Sequence, residues 1–149
     1  MNLNLSSILS EVISEKKAEV SGTDILPHIL SLCKFMHENG CELRPYPKIT
    51  LSEDSEYKND PMGKTAWYSP ETKSITLLTA GRHPKDVLRS AAHELVHHNQ
   101  NLRGDMKDED ANKTVDPAYA QKDPKLRKLE AEAYLRGNMM FRSWEDQFK

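Results

Sequence analysis

The sequence is poor in cysteine and has no long apolar runs. Its 149 residues include only two cysteines, Cys33 and Cys41, too few for a disulfide-dense scaffold or for a zinc site built from four thiolates. We expect both thiols to be reduced and partly buried rather than joined in a disulfide. No apolar stretch approaches the roughly 18–20 residues that a membrane-spanning helix requires, so we expect no membrane association.

An excess of charge of either sign is also missing. The chain carries 21 Lys and Arg against 23 Asp and Glu, and phosphate binding needs a basic surface, so nucleic acid is an unlikely partner. A DNA-associated protein stays open as a minor alternative, because a local basic group exists at Lys122, Lys125, Arg127 and Lys128. The first 17 residues lack the basic start and apolar stretch of a secretory signal, which favours a cytoplasmic location.

The length favours one domain over 1–149, with a helical N-terminal region over 1–40 and a catalytic core over 64–148. Apolar residues at helical spacing predict a first helix over 5–16. A second helix is predicted to be capped by Asp24 and to end at Gly40.

The central and C-terminal parts alternate short strands with long helices. A strand is predicted over 48–51, and a hairpin over 65–79 with its turn at 69–72. Pro84 and Gly104 bracket an amphipathic helix over 84–102, and Pro124 opens a last helix that runs to about Phe148. This order predicts an α+β fold in which a small antiparallel sheet packs on the helices.

The predicted helix over 84–102 contains His93-Glu94-Leu95-Val96-His97, an H-E-x-x-H pattern. Residues four apart lie on one face of a helix, so both imidazoles can reach one zinc ion, with Glu94 beside them. The pattern lies on the element that its chemistry requires. We therefore expect one Zn²⁺ per chain, against the plainer alternative of two histidines at the edge of the core.

A catalytic zinc needs a third protein ligand and one open position. No histidine follows His98, but Glu130 on the last helix shares a face with Ala133 and Gly137. Those small residues would let this helix pack tightly against the histidine-bearing helix and point Glu130 at the metal. Glu132 is the alternative ligand, although it lies about 160° away around the helix and is expected to face solvent.

The segment HELVH on one helix, followed on the next by E-x-x-A from Glu130 to Ala133, resembles the zincin metallopeptidases of the gluzincin group. The compact minigluzincins, ImmA/IrrE-like and HtpX-like proteases are the most similar, over about residues 65–144. The resemblance implies that Glu130 is the third zinc ligand. It also implies that Ser74–Thr79 is an edge strand that pairs with an extended substrate. Several of these families have Asp or Asn after the alanine where this chain has Tyr134, which leaves the subfamily open.

The predicted function is a zinc-dependent metallopeptidase that hydrolyses peptide bonds of a protein substrate. Glu94 would take a proton from the metal-bound water and deliver it to the leaving amine. Candidates for stabilising the oxyanion are Tyr134, Tyr119 and His98. Tyr134 is the first of these because it lies one turn from Glu130, although a core position between the helices is its simpler interpretation.

Three points stay open at this stage. The alternative function is a catalytically weak or inactive zincin-fold binding protein that keeps its zinc. The N-terminal helix is a candidate docking segment for a partner. The aspartates that would orient the zinc-bound imidazoles are not distinguished by the sequence, and the loop after the active helix offers four of them, Asp105, Asp108, Asp110 and Asp116.

Overall fold

The computed structural model describes residues 2–4, 25–53, 65–106 and 124–148. These ranges hold an α+β arrangement, as the element order predicted. The first predicted helix, over 5–16, lies outside them, and Asn2–Asn4 form a strand within the region that we predicted to be helical. In chain order the elements are β1 (Asn2–Asn4), α1 (Leu26–Glu38), β2 (Lys48–Ser52), β3 (Ala66–Ser69), β4 (Ser74–Leu78), α2 (Pro84–Leu102) and α3 (Pro124–Asp146).

The helix ends follow the local signals of the sequence. Helix α2 begins at Pro84, where the ring nitrogen of the preceding His83 accepts a hydrogen bond from the backbone N–H of Lys85, and its end is followed by Gly104 at a φ of +84°. Gly40, at a φ of +96°, follows the end of α1. One prediction is wrong: the N-cap of α1 is Ile25, which gives no side-chain bond, and not Asp24.

The sheet is mixed, not antiparallel as predicted. Its strand order is β1-β2-β4-β3, with β2 and β4 parallel and the other two pairs antiparallel. The hairpin signal correctly predicted that β3 and β4 are neighbours, but it carried no information about which of them pairs with β2. Strand β4 is paired on both edges, and its side chains Ile75, Leu77 and Leu78 are buried.

This order also overturns the predicted role of residues 74–79. An edge strand has one row of backbone groups available to another chain, whereas β4 is hydrogen-bonded on both sides, to β2 and to β3. Strand β4 therefore cannot accept an extended substrate as an additional strand. Of the strands in the described ranges, β1 and β3 occupy the two edges.

The core lies between the sheet and the three helices, and α2 runs through it. The apolar side predicted for α2, from Val87 to Val96, is buried. Helix α3 makes its most extensive contact with α2 and buries most of the predicted apolar face, but Phe148 follows the helix end and is 67% exposed. None of the helices in these ranges has both the length and the apolar character needed to cross a bilayer.

Candidate metal centre

Two helices that touch each other carry the candidate ligands. Helix α2 presents His93 and His97 one turn apart, with their ring centroids separated by 4.9 Å. Helix α3 presents Glu130 to both rings. The helices approach closely at Gly137, where a Cβ atom would lie 3.1 Å from the backbone nitrogen of His93. The absence of a side chain at Gly137 therefore allows the approach that places Glu130 against the imidazoles, as the small residues of α3 predicted.

The donor atoms of the three side chains converge on one point. His93 Nε2 lies 3.1 Å from Glu130 Oε2, and His97 Nε2 lies 2.8 Å from Glu130 Oε1. One ligand atom from each residue lies within 4.8 Å of the others. Ligands held at zinc–ligand distances of about 2.0–2.1 Å around a tetrahedral ion lie about 3.3 Å from each other. The two imidazole–carboxylate distances are near this value, and the His₂Glu group could hold a metal ion.

The contacts of His97 determine which of its ring nitrogens faces Glu130. Its Nδ1 lies 2.8 Å from Gln100 Oε1, and an amide oxygen can only accept, so Nδ1 carries the proton and Nε2 faces the carboxylate of Glu130. Burial disfavours the charged imidazole, but the hydrogen bond that His97 donates to Glu130 and the charge of Glu94 outweigh it and raise the pKa of His97. A nitrogen lone pair facing a carboxylate is stable only with a cation between them, either a proton or a metal ion.

Glu130 is held in its ionised form by the same contacts. Burial would raise the pKa of this carboxyl, but the hydrogen bonds from His93 and His97 exceed that effect and hold it well below the ordinary value. The alternative interpretation, a surface charge paired with Arg127 or Lys128, does not describe this side chain, which is directed at the two imidazoles.

Glu94 is buried next to the ligands, with 5% of its surface exposed. Its negative charge contributes to the raised pKa of His97. Among the residues that the structure describes, none donates a hydrogen bond to Glu94.

Tyr134 lies at the rim of the site and is not a core residue. It is 63% exposed, and its ring packs edge-on against His93 with the centroids 4.5 Å apart. The simpler interpretation, an aromatic ring buried between the helices, is therefore wrong. The position next to a candidate ligand is compatible with the predicted contact to a substrate.

Of the two other oxyanion candidates, the one within the described residues, His98, does not join the centre. His98 is fully buried on another side of α2, where it bonds to the hydroxyl of Tyr68 at 2.8 Å and to the carbonyl of Pro45 at 2.7 Å. Desolvation lowers the pKa of His98, so it is a neutral structural residue. Tyr119 lies outside the described residues.

Of the four aspartates considered as partners for the imidazoles, the structure describes one. Asp105 pairs with Arg103, and Asp108, Asp110 and Asp116 lie outside the described ranges. The side chain that contacts His97 is Gln100. Its position three residues after His97, on the histidine face of α2, was visible in the sequence, but an amide is a less obvious partner for an imidazole than a carboxylate.

Glu132 keeps 32% of its side chain exposed, so the expectation that it faces solvent is met only in part. Its carboxylate accepts hydrogen bonds from Gln100 and from the guanidinium of Arg103. The bond from Arg103 is the main reason that the pKa of Glu132 is lowered to about 2. Glu132 is thus engaged away from the two imidazoles, and Glu130 is the carboxylate that meets them.

Comparison with known proteins found no relative. The chain matches no family model, and it is not detectably similar to a curated protein or to a solved structure.

Proposed function

We propose that this protein is a zinc-dependent metallopeptidase in which His93, His97 and Glu130 bind one zinc ion. The observation that carries the proposal is the convergence of the three donor atoms, two imidazole nitrogens and one carboxylate, within 4.8 Å. Three protein ligands leave a position for water or substrate, which is the arrangement of catalytic rather than structural zinc sites. The zincin-like identity and the cytoplasmic location expected from the sequence belong to the same proposal.

Glu94 is what distinguishes a peptidase from a zinc-binding protein. Zinc binding alone does not need a buried carboxylate beside the ligands, whereas hydrolysis needs a base. When bound, zinc supplies Lewis acidity that polarises a carbonyl and lowers the pKa of water. The Glu94 carboxylate accepts a proton from the attacking water and returns it to the leaving amine. Tyr134, exposed at the rim, donates its hydroxyl proton in a hydrogen bond to the substrate oxyanion.

The substrate is a protein or peptide chain, and its binding mode differs from the one that the resemblance implied. Since β4 is an inner strand, substrate binding rests on groups around the ligands rather than on residues 74–79. The exposed ring of Tyr134 is one such group.

The first experiment measures metal content and cleavage in the same preparation. Elemental mass spectrometry on the purified, untagged chain should find one zinc per chain. Incubation with a peptide library made by digesting a proteome, read by mass spectrometry, should then reveal new peptide termini. The Glu94→Gln variant should keep its zinc and lose cleavage by at least about 10²-fold, because the amide cannot accept the proton.

The outcomes separate the two functions that the sequence left open. One zinc per chain with cleavage that Glu94→Gln abolishes supports the peptidase. One zinc per chain without cleavage in either protein supports the zincin-fold binding protein instead. Cleavage that survives in Glu94→Gln contradicts the assigned base, and a chain that takes up no zinc contradicts the metal site itself.

A further inference from the structure

Gln100 is a fully buried amide in which every polar atom has a partner. Its Nε2 donates to the backbone carbonyl of Leu129 at 2.9 Å and to Glu132 Oε1 at 2.8 Å. Both of these partners are acceptors only, so the amide nitrogen must face them and Oε1 must face His97. The contacts thus determine both the orientation of the amide and the ring nitrogen of His97 that carries the proton.

The same amide also contacts the segment of α3 that carries Glu130. Leu129 directly precedes Glu130, and Glu132 follows it by two residues. The two hydrogen bonds from Gln100 therefore hold the chain on both sides of Glu130, while the third holds His97. One side chain thereby links the two helices at the level of the candidate ligands.

Glu132 is itself held by a bidentate ion pair. Arg103 Nη1 donates to Glu132 Oε2 at 2.9 Å, and Arg103 Nη2 donates to Glu132 Oε1 at 2.7 Å. Arg103 also binds Asp105. A two-pronged contact between guanidinium and carboxylate restricts orientation more than a single hydrogen bond does. The carboxylate that accepts from Gln100 is thus kept in place by a residue at the end of α2.

We propose that Gln100 is the positioning residue of the metal centre. It orients both His97 and the turn of α3 that carries Glu130. The Glu132–Arg103 pair keeps the Gln100 side chain in place. This proposal rests on the proposed zinc site. Partners of this kind fix the tautomer of a ligating imidazole, and their loss typically weakens metal binding or activity by about 10- to 100-fold.

Zinc affinity of the full-length chain, measured by competition with a chromophoric chelator, tests the proposal. Gln100→Met keeps the length of the side chain and removes its polar atoms, so the dissociation constant for zinc should rise by about 10- to 100-fold. Glu132→Ala should raise it by less, because Leu129 still accepts from Gln100. Glu132→Gln, which keeps an acceptor for Gln100, should lie between Glu132→Ala and the unchanged protein.

The matched control is Asn101→Ala. Asn101 follows Gln100 on α2 but donates to the hydroxyl of Tyr68 and to the carbonyl of Pro70, away from the candidate ligands. This variant should lose stability in the metal-free form without a change in zinc affinity. In the zinc-loaded protein, nuclear magnetic resonance should detect a slowly exchanging Nδ1–H proton of His97, and this signal should be lost in Gln100→Met.

The results distinguish this proposal from the one on which it rests. If the unchanged chain binds no zinc, both fail. If it binds zinc and Gln100→Met binds equally well, or if Asn101→Ala weakens binding as much as Gln100→Met does, only the positioning role fails. If Gln100→Met does not fold, Glu132→Ala provides the test. An unchanged zinc affinity of Glu132→Ala would contradict the proposal that the Glu132–Arg103 pair holds Gln100 in place at the metal centre.

Discussion

At the scale of single residues, the centre depends on which atom of each side chain faces the others. His97 presents Nε2 to Glu130 because its Nδ1 is bound to Gln100. His93 presents Nε2 to the second oxygen of the same carboxylate. One carboxylate thereby meets two imidazoles, and the three side chains form a group that could hold a metal ion. Tyr134 contacts this group from the solvent side, through the ring of His93.

Replacement of Tyr134 by Phe tests its role at this scale. The change removes only the hydroxyl from an exposed side chain, so folding and zinc content should not change. If the hydroxyl stabilises the oxyanion, kcat for a cleaved peptide should fall by about 10²- to 10³-fold. Leu135→Ala, the neighbouring exposed apolar residue, is the control and should leave kcat unchanged. Full activity of Tyr134→Phe would limit Tyr134 to packing on His93.

At the scale of the elements, the site is a product of how closely α2 and α3 approach. A glycine inside a helix costs about 1 kcal/mol relative to alanine. At Gly137 a larger residue would be crowded, because the backbone of His93 lies where a Cβ atom would have its contacts. Glu130 lies about two turns from Gly137 on the same side of α3. The separation of the helices at Gly137 therefore controls how far the carboxylate is from the imidazoles.

Gly137→Ala should be destabilising even though alanine favours the helix. The added methyl group would lie 3.1 Å from His93 N and 3.2 Å from His93 Cα, both backbone atoms. Overpacking costs about 1–3 kcal/mol, against a propensity gain of about 1 kcal/mol. We expect the free energy of unfolding, measured in urea, to fall by about 1 kcal/mol and zinc binding to weaken. Asn138→Ala, one residue further and exposed, should instead be slightly stabilising.

At the scale of the whole molecule, the core joins the sheet, α2, α3 and α1. The buried residues of α1 include Cys33, and Cys41 is buried just after this helix. Both thiols are free, as predicted. Burial raises the pKa of Cys41 to about 11, and burial together with the neighbouring Cys41 raises the pKa of Cys33 further. The folded protein therefore keeps both thiols protonated where an unfolded chain does not.

This difference predicts a loss of stability at alkaline pH. An ordinary thiol has a pKa of about 8.5, so above that pH the unfolded chain releases protons that the folded chain retains, and the free energy of unfolding falls as pH rises. The loss should reach about 1.4 kcal/mol per thiol at pH 9.5. Urea denaturation at pH 7.5, 8.5 and 9.5 under reducing conditions measures it. The double variant Cys33→Ala, Cys41→Ala should show a shallower decline, and an equal decline would contradict the prediction.

Much of the local structure followed from local chemistry. Pro84 and Gly104 marked the ends of α2, and the 3.6-residue period placed His93 and His97 on one face because helix geometry depends only on neighbouring residues. The same period placed Ala133 and Gly137 on one face of α3, and these small residues predicted its close approach to α2. Strand pairing was harder to predict from the sequence, since the order β2-β4-β3 depends on contacts between segments that are distant in the chain.

The sequence by itself determined the α+β class, the helix boundaries around the H-E-x-x-H pattern and the candidate ligands, because each rests on spacing within one segment. Only the tertiary structure decided that β4 is an inner strand, that Glu132 binds Arg103, and that Gln100 holds His97. These are relations between elements. They are set by which apolar faces can be buried together, and the polar side chains at the contact then take the partners that this packing leaves within hydrogen-bonding distance.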